Sequence, residues 1–70
     1  MDMRPAQTYE VGALVKVTKP FNTMVRYKDR VGVIRKVFYQ SRAQNHLYKV
    51  DLGDEKLHGF YPEELEKYKR

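Results

Sequence analysis

The sequence contains no cysteine and no tryptophan in its 70 residues. Without cysteine there is no disulfide framework and no thiolate metal site, so the hydrophobic core alone must stabilise the fold. No apolar stretch approaches the roughly 20 residues that span a bilayer, and the opening "MDMRPAQTYE" lacks the apolar segment of a secretory signal. We therefore expect a soluble protein of the reducing cytoplasm with no membrane partner.

Residue types that carry catalysis are also scarce. The only two histidines, His46 and His58, lie twelve positions apart without a cysteine, which fits neither zinc-ligand spacing nor a nucleophilic triad. Ser41 has no base beside it, and the glycines are too isolated to form a phosphate loop. The glutamates of residues 63–66 are typical of solvated or turn-capping positions. The sequence predicts a protein that is not an enzyme and holds no metal or cofactor.

The length and composition fit one small domain. A chain of this size lies near the lower limit for independent folding, yet 41% hydrophobic and 13% aromatic residues suffice for a compact core. Residues 1–8 contain a proline and no periodicity, and they predict a flexible N-terminal arm. Residues 9–70 form the predicted domain.

Several segments show the patterns of β-strands. "VGALVKV" and "HLYKVDL" alternate apolar and polar residues, as half-buried strands do. In "VGVIRKVFY", Gly32 predicts a bulge, a bend or a close backbone approach, and a bulge between Ile34 and Val37 would keep both inward. "GDE" predicts a tight turn at Gly53 that makes a hairpin of "YKVDL" and "KLHGFY". "FNTMVRYKDR" has no clean period and predicts a long loop.

The end of the chain completes the fold prediction. Pro62 fits the first position of a single 3₁₀ turn over residues 62–65, followed by a short strand over residues 66–69. We therefore expect an all-β fold, a small five-stranded barrel, closed or nearly so, with one 3₁₀ turn before the last strand. Its predicted core is Val15, Val17, Ile34, Val37, Tyr48, Val50, Phe60 and Leu65.

The order "VGALVKV", long loop, "VGVIRKV", "YKVDL", "GF" and "PEELE" resembles SH3-like barrels over residues 11–69. "DRVGVIRKV" is similar to the glycine-centred half of KOW motifs, where Gly32 would be the motif glycine. The framework also resembles the SH3-like docking subunits of photosynthetic electron transfer. The "ALYDY" stretch and tandem tryptophans of peptide-binding SH3 domains are absent, which disfavours recognition of proline-rich peptides. The resemblance implies an SH3-like fold and a partner that is nucleic acid or protein.

Charge is uneven along the chain, whose formal net charge is +5. Residues 1–50 carry ten Lys or Arg against three acidic residues, a balance of +7, and residues 51–70 carry four against six, a balance of −2. Clustered cations favour a polyanionic partner. Solubility alone is the alternative explanation, because a net charge of this size is ordinary for a small domain.

Cations and aromatics near the predicted loop define a candidate binding surface. Tyr27 lies between Arg26 and Lys28, and Phe21, Tyr27 and Tyr39 are candidate exposed platforms for bases. Alternatively, Phe21 or Tyr27 fills the core. The candidate residues are Lys19, Phe21, Arg26, Tyr27, Lys28, Arg30, Lys36 and Tyr39, with the C-terminal acidic residues expected elsewhere.

Two functions follow from this surface. The first is a noncatalytic, monomeric module that contacts nucleic acid, RNA more than DNA, or a nucleic-acid-bound machine. The second is a docking or regulatory module that binds an acidic partner protein. Charge steers both kinds of association, so composition leaves both open.

Overall fold

The computed structural model describes residues 8–20 and 22–69, so residues 1–7 of the predicted N-terminal arm and Phe21 lie outside the described part of the chain. The strands are β1 (Leu14–Val17), β2 (Val31–Gln40), β3 (Asn45–Asp51), β4 (Leu57–Phe60) and β5 (Leu65–Lys67), with 3₁₀ helices η1 (Asn22–Tyr27) and η2 (Pro62–Glu64). All strand pairs are antiparallel, in the order β4-β3-β2-β1-β5. The prediction of five strands with a 3₁₀ turn before the last is confirmed.

Two details differ from the sequence-based expectation. The predicted loop over residues 21–30 contains the 3₁₀ helix η1, whose tight turns continue as the Lys28 N–H donates to Val25 O and the Arg30 N–H to Tyr27 O. In this short helix Val25 is exposed and Tyr27 is buried. The sequence of the helix therefore shows no regular spacing of apolar residues. The last strand begins at Leu65, one residue earlier than expected.

The turn η2 follows directly from its sequence. Pro62 supplies a preset φ at the first position. The Glu64 carboxylate is buried and its Oε2 accepts a hydrogen bond from the Tyr61 backbone N–H at 2.8 Å. Glu64 is therefore a turn-capping residue, one of the two roles expected for the glutamates of this segment.

One face of the sheet forms the core. Seven of the eight predicted core residues are buried, and Val37 is partly buried against them. Tyr27 and Leu52 join this core as well. The buried hydrophobic set is Val15, Val17, Tyr27, Ile34, Tyr48, Val50, Leu52, Phe60 and Leu65.

Strand β2 contains both of its predicted irregularities. A Cβ on Gly32 would lie 2.5 Å from the Asp51 carbonyl oxygen, so the backbones of β2 and β3 approach too closely there for any side chain. The register with β3 shifts between Ile34 and Lys36, which is the predicted bulge. The bulge keeps both Ile34 and Val37 on the core side.

The sheet is open among the described residues, because β4 and β5 are its edges and form no pair with each other. β1 and the residues before it form backbone hydrogen bonds with β2 only as far as Ile34. After Ile34, β3 is the one described strand that pairs with β2. Residues 35–49 comprise the bulge, the β2–β3 hairpin and its turn, and we call them the arm, which is distinct from the predicted N-terminal arm of residues 1–8. We call residues 13–34 and 50–67 the packed end. In the described part of the chain, neither 3₁₀ helix has the length or apolarity of a membrane span.

Candidate binding surface

The structure distributes the predicted binding residues over two surfaces. Arg26, Tyr27, Lys28 and Arg30 lie at the packed end, where the Arg30 carbonyl accepts a hydrogen bond from the Val17 N–H. Lys36 and Tyr39 lie on the arm and Lys19 beside η2, with its backbone N–H 3.2 Å from the Glu64 carbonyl oxygen. Lys36 follows Arg30 by six residues, about 20 Å along an extended strand. The seven candidates that the structure describes therefore do not form one continuous rim, and Phe21 lies outside the described residues.

Tyr27 is a core residue, which corrects its assignment as an exposed platform. Its side chain is 5% exposed, and its ring centroid lies 4.5 Å from that of His58. The Arg26 guanidinium donates a hydrogen bond to the Tyr27 hydroxyl at 2.8 Å and lies over its ring. The alternative expectation, that Tyr27 closes one end of the core, is therefore the one that the structure shows.

Acidic side chains lie among the cations of the packed end. Asp54 Oδ2 lies 3.1 Å from His58 Nε2 and accepts a long hydrogen bond, 3.5 Å, from the Tyr27 hydroxyl. The hydrogen bond from the His58 side chain holds the pKa of Asp54 below its ordinary value. Asp29 lies 4.0 Å from Lys16 Nζ. The expectation that the C-terminal acidic residues lie elsewhere is wrong for Asp54.

The two arginines of the packed end already have partners within the chain. Arg26 contacts Tyr27, and Arg30 Nη2 donates a hydrogen bond to the Leu52 carbonyl oxygen at 2.8 Å. Both side chains remain exposed, as does Lys28. The Arg26 contact lies within η1, and the Arg30 contact joins the segment after η1 to the start of the β3–β4 turn. The arginines therefore contribute to structure there as well as to surface charge.

The arm has a different electrostatic character. It carries Arg35, Lys36, Arg42 and Lys49, and the sequence has no Asp or Glu between Asp29 and Asp51. Lys36 and Lys49 are directly opposite each other across β2 and β3. Such like-charged pairs are unfavourable in a sheet. Within the described residues neither lysine is in an ion pair, whereas Arg35 pairs with Asp51 at 3.5 Å.

The exposed aromatic of the arm is Phe38, a residue that the sequence analysis did not select. Phe38 is 46% exposed and pairs with Leu47, whereas Tyr39 is half-buried with its ring against His46. This corrects the expectation for Tyr39. The signal was present in the sequence, because a bulge that turns Val37 inward also turns its neighbour Phe38 outward.

No protein-family model, curated protein or solved structure gave a match to this chain. Within residues 8–20 and 22–69, no three His, Asp or Glu side chains are grouped so that they could hold a metal ion. Function must therefore be argued from the chemistry of the surface.

Proposed function

We propose that this protein is a noncatalytic binding module that contacts nucleic acid, RNA in preference to DNA, either free or within a nucleic-acid-bound machine. We also propose that its sheet is of the SH3-like type. The strand order β4-β3-β2-β1-β5, the 3₁₀ turn before the last strand and the close-packed Gly32 support that assignment.

The functional proposal rests on the charge of the arm, which carries four cations and no acidic residue. A phosphate backbone near such a surface gains Coulomb attraction and releases its counterions. It would also relieve the repulsion between Lys36 and Lys49, which no acid of the described chain neutralises. The basic segment of residues 26–30 contributes less, because it contains Asp29 and Asp54 lies beside it.

A titration of fluorescent single-stranded RNA and duplex DNA at two salt concentrations tests the proposal. The variants are Lys36→Glu/Lys49→Glu and, as the matched control, Lys28→Glu/Lys56→Glu, at two exposed lysines of the packed end. Each double reversal changes the charge by −4, so both proteins have a formal charge of +1. The Lys36→Glu/Lys49→Glu variant, which we call the arm reversal, has two like charges opposite each other, as wild type does. Its free energy of unfolding should therefore change little.

We expect wild type to bind RNA at low salt and the arm reversal to weaken binding more than the control does. Each lost phosphate contact should lower the salt slope by about one unit. Absence of binding to either nucleic acid at low salt would overturn the proposal. Capture of one acidic polypeptide that survives nuclease treatment and resists competition by oligonucleotide would favour protein docking instead.

A further inference from the structure

Four side chains of the arm share its outward face. Lys36 pairs with Lys49, and Phe38 pairs with Leu47 in the next row on the same face. Paired residues lie about 5 Å apart, and rows on one face about 7 Å apart. An exposed aromatic ring therefore has a lysine as its neighbour along β2 and another diagonally across on β3.

Among the described residues, the strands on either side place little over this patch. On β4 the residue opposite Lys49 is Gly59, which has no side chain to rise above the sheet. A Cβ there would contact the Leu47 side chain at 3.3 Å, so Leu47 already covers that position. On the other side of β2, β1 and the residues before it reach only to Ile34. Within the described residues, no strand therefore pairs with β2 beside Phe38 on that side.

Charge distinguishes Phe38 from the other exposed apolar residues of the strands. Val31 and Leu57 are exposed to similar extents, 38% and 37%. Leu57, however, is opposite Asp51, and Val31 is opposite Lys16, whose ammonium lies near Asp29. Phe38 combines aromatic character with two lysines that form no ion pair within the described residues. The acidic residues of the adjoining rows have other partners, because Asp51 pairs with Arg35 and Glu63 accepts a hydrogen bond from Asn45.

We infer that this outward face, formed by Lys36, Phe38, Leu47 and Lys49, binds single-stranded nucleic acid, with an unpaired base stacked on the Phe38 ring and adjacent phosphates on the two lysines. An unpaired base offers a free π-face, whereas a base within a duplex is already stacked on both sides. An acidic peptide could pair with the lysines, but only a nucleic acid carries a planar base next to every phosphate. This inference rests on the proposed function and specifies its site and its ligand.

The absence of natural tryptophan allows a direct test. In Phe38→Trp the introduced indole is the only one in the protein, and stacking of a base should quench its emission. The matched control is Leu57→Trp, because Leu57 is outward on the edge strand β4, opposite Asp51, with comparable exposure. Single-stranded RNA should quench Phe38→Trp with saturation and leave Leu57→Trp nearly unchanged. Duplex of equal charge should quench neither.

A second variant measures the contribution of the ring. Phe38→Ala should weaken single-strand binding by about five- to 150-fold, the loss expected for removing one stacked base, and leave the salt slope unchanged because both lysines remain. Far-UV circular dichroism and urea unfolding of Phe38→Ala verify that its fold is intact. Lack of any nucleic-acid binding by wild type at low salt would defeat the proposed function and this inference together. If wild type binds single-stranded RNA while Phe38→Ala binds equally well, or Phe38→Trp is not quenched, the inference is wrong and the proposed function stands.

Discussion

The packed end and the arm share two strands but differ in what their side chains do. In the packed end, β2 lies between β1 and β3, and Ile34 is completely buried. In the arm the same strand turns Lys36 and Phe38 toward solvent on one face, while Tyr48 of β3 joins the core on the other. All nine acidic residues of the sequence lie outside the arm. The packed end and the inward-facing Tyr48 supply stability, and the outward face of the arm supplies a charged surface whose side chains lie outside the core.

The largest expected effect comes from comparing two positions on β2. Ile34→Ala should destabilise the protein by about 2–5 kcal/mol, because it opens a cavity in a core that is small to begin with. Phe38→Ala should cost less than about 1 kcal/mol, since much of that ring is already in water. Urea unfolding followed by circular dichroism measures both. Equal costs would mean that Phe38 packs as a core residue does, and would break the comparison between the packed end and the outward face of the arm.

The glycines of β2 and β4, the two strands that flank β3, give a sharper and smaller contrast. Gly32→Ala should cost about 1–3 kcal/mol, because its Cβ would meet the Asp51 carbonyl oxygen, a backbone atom that can move only with its strand. Gly59→Ala should be nearly neutral, because its Cβ meets only the flexible Leu47 side chain at 3.3 Å. The melting temperatures of the two variants test this. An unchanged value for Gly32→Ala would show that the close approach of β2 and β3 is incidental.

The smallest effect concerns the acidic network of the packed end. The pKa of Asp54 is lowered in the folded protein, so its contribution to stability is present above its ordinary value of 3.8 and is lost as the pH falls through the lower folded value. Asp54→Asn should therefore be less stable than wild type at neutral pH, and the difference should shrink as the pH falls through the lowered pKa of Asp54. Urea midpoints across this range measure it. Glu55→Gln, a change at the exposed neighbour, is the control, and identical pH profiles for the two variants would contradict the Asp54–His58 contact.

Local patterns predicted the strands well because each is encoded within a few residues. Alternation identified Tyr48, Val50 and Leu52, and the requirement that Ile34 and Val37 share a face predicted the bulge. Gly32 was recognised as a constrained position, and the structure identifies the constraint as Asp51 of the adjacent strand.

The candidate surface was harder to predict because it depends on contacts between distant residues. The burial of Tyr27 requires His58 and Asp54, which follow it by about thirty positions and approach it only when the β3–β4 turn packs against η1. Nearness in sequence placed Arg26 and Lys28 with Lys36, although the extended strand separates them. Two features of the arm could be predicted from the sequence alone. They are the absence of acidic residues and the outward direction of Phe38.

The central claim, that the arm is the nucleic-acid-binding surface, is tested most directly by mapping a short single-stranded RNA onto isotopically labelled protein through its backbone amide chemical shifts. We expect the shifts to concentrate in residues 35–49, largest around Phe38 and the paired lysines, with little change at residues 26–30. Shifts confined to residues 26–30, or no shifts at low salt with saturating RNA, would contradict the claim.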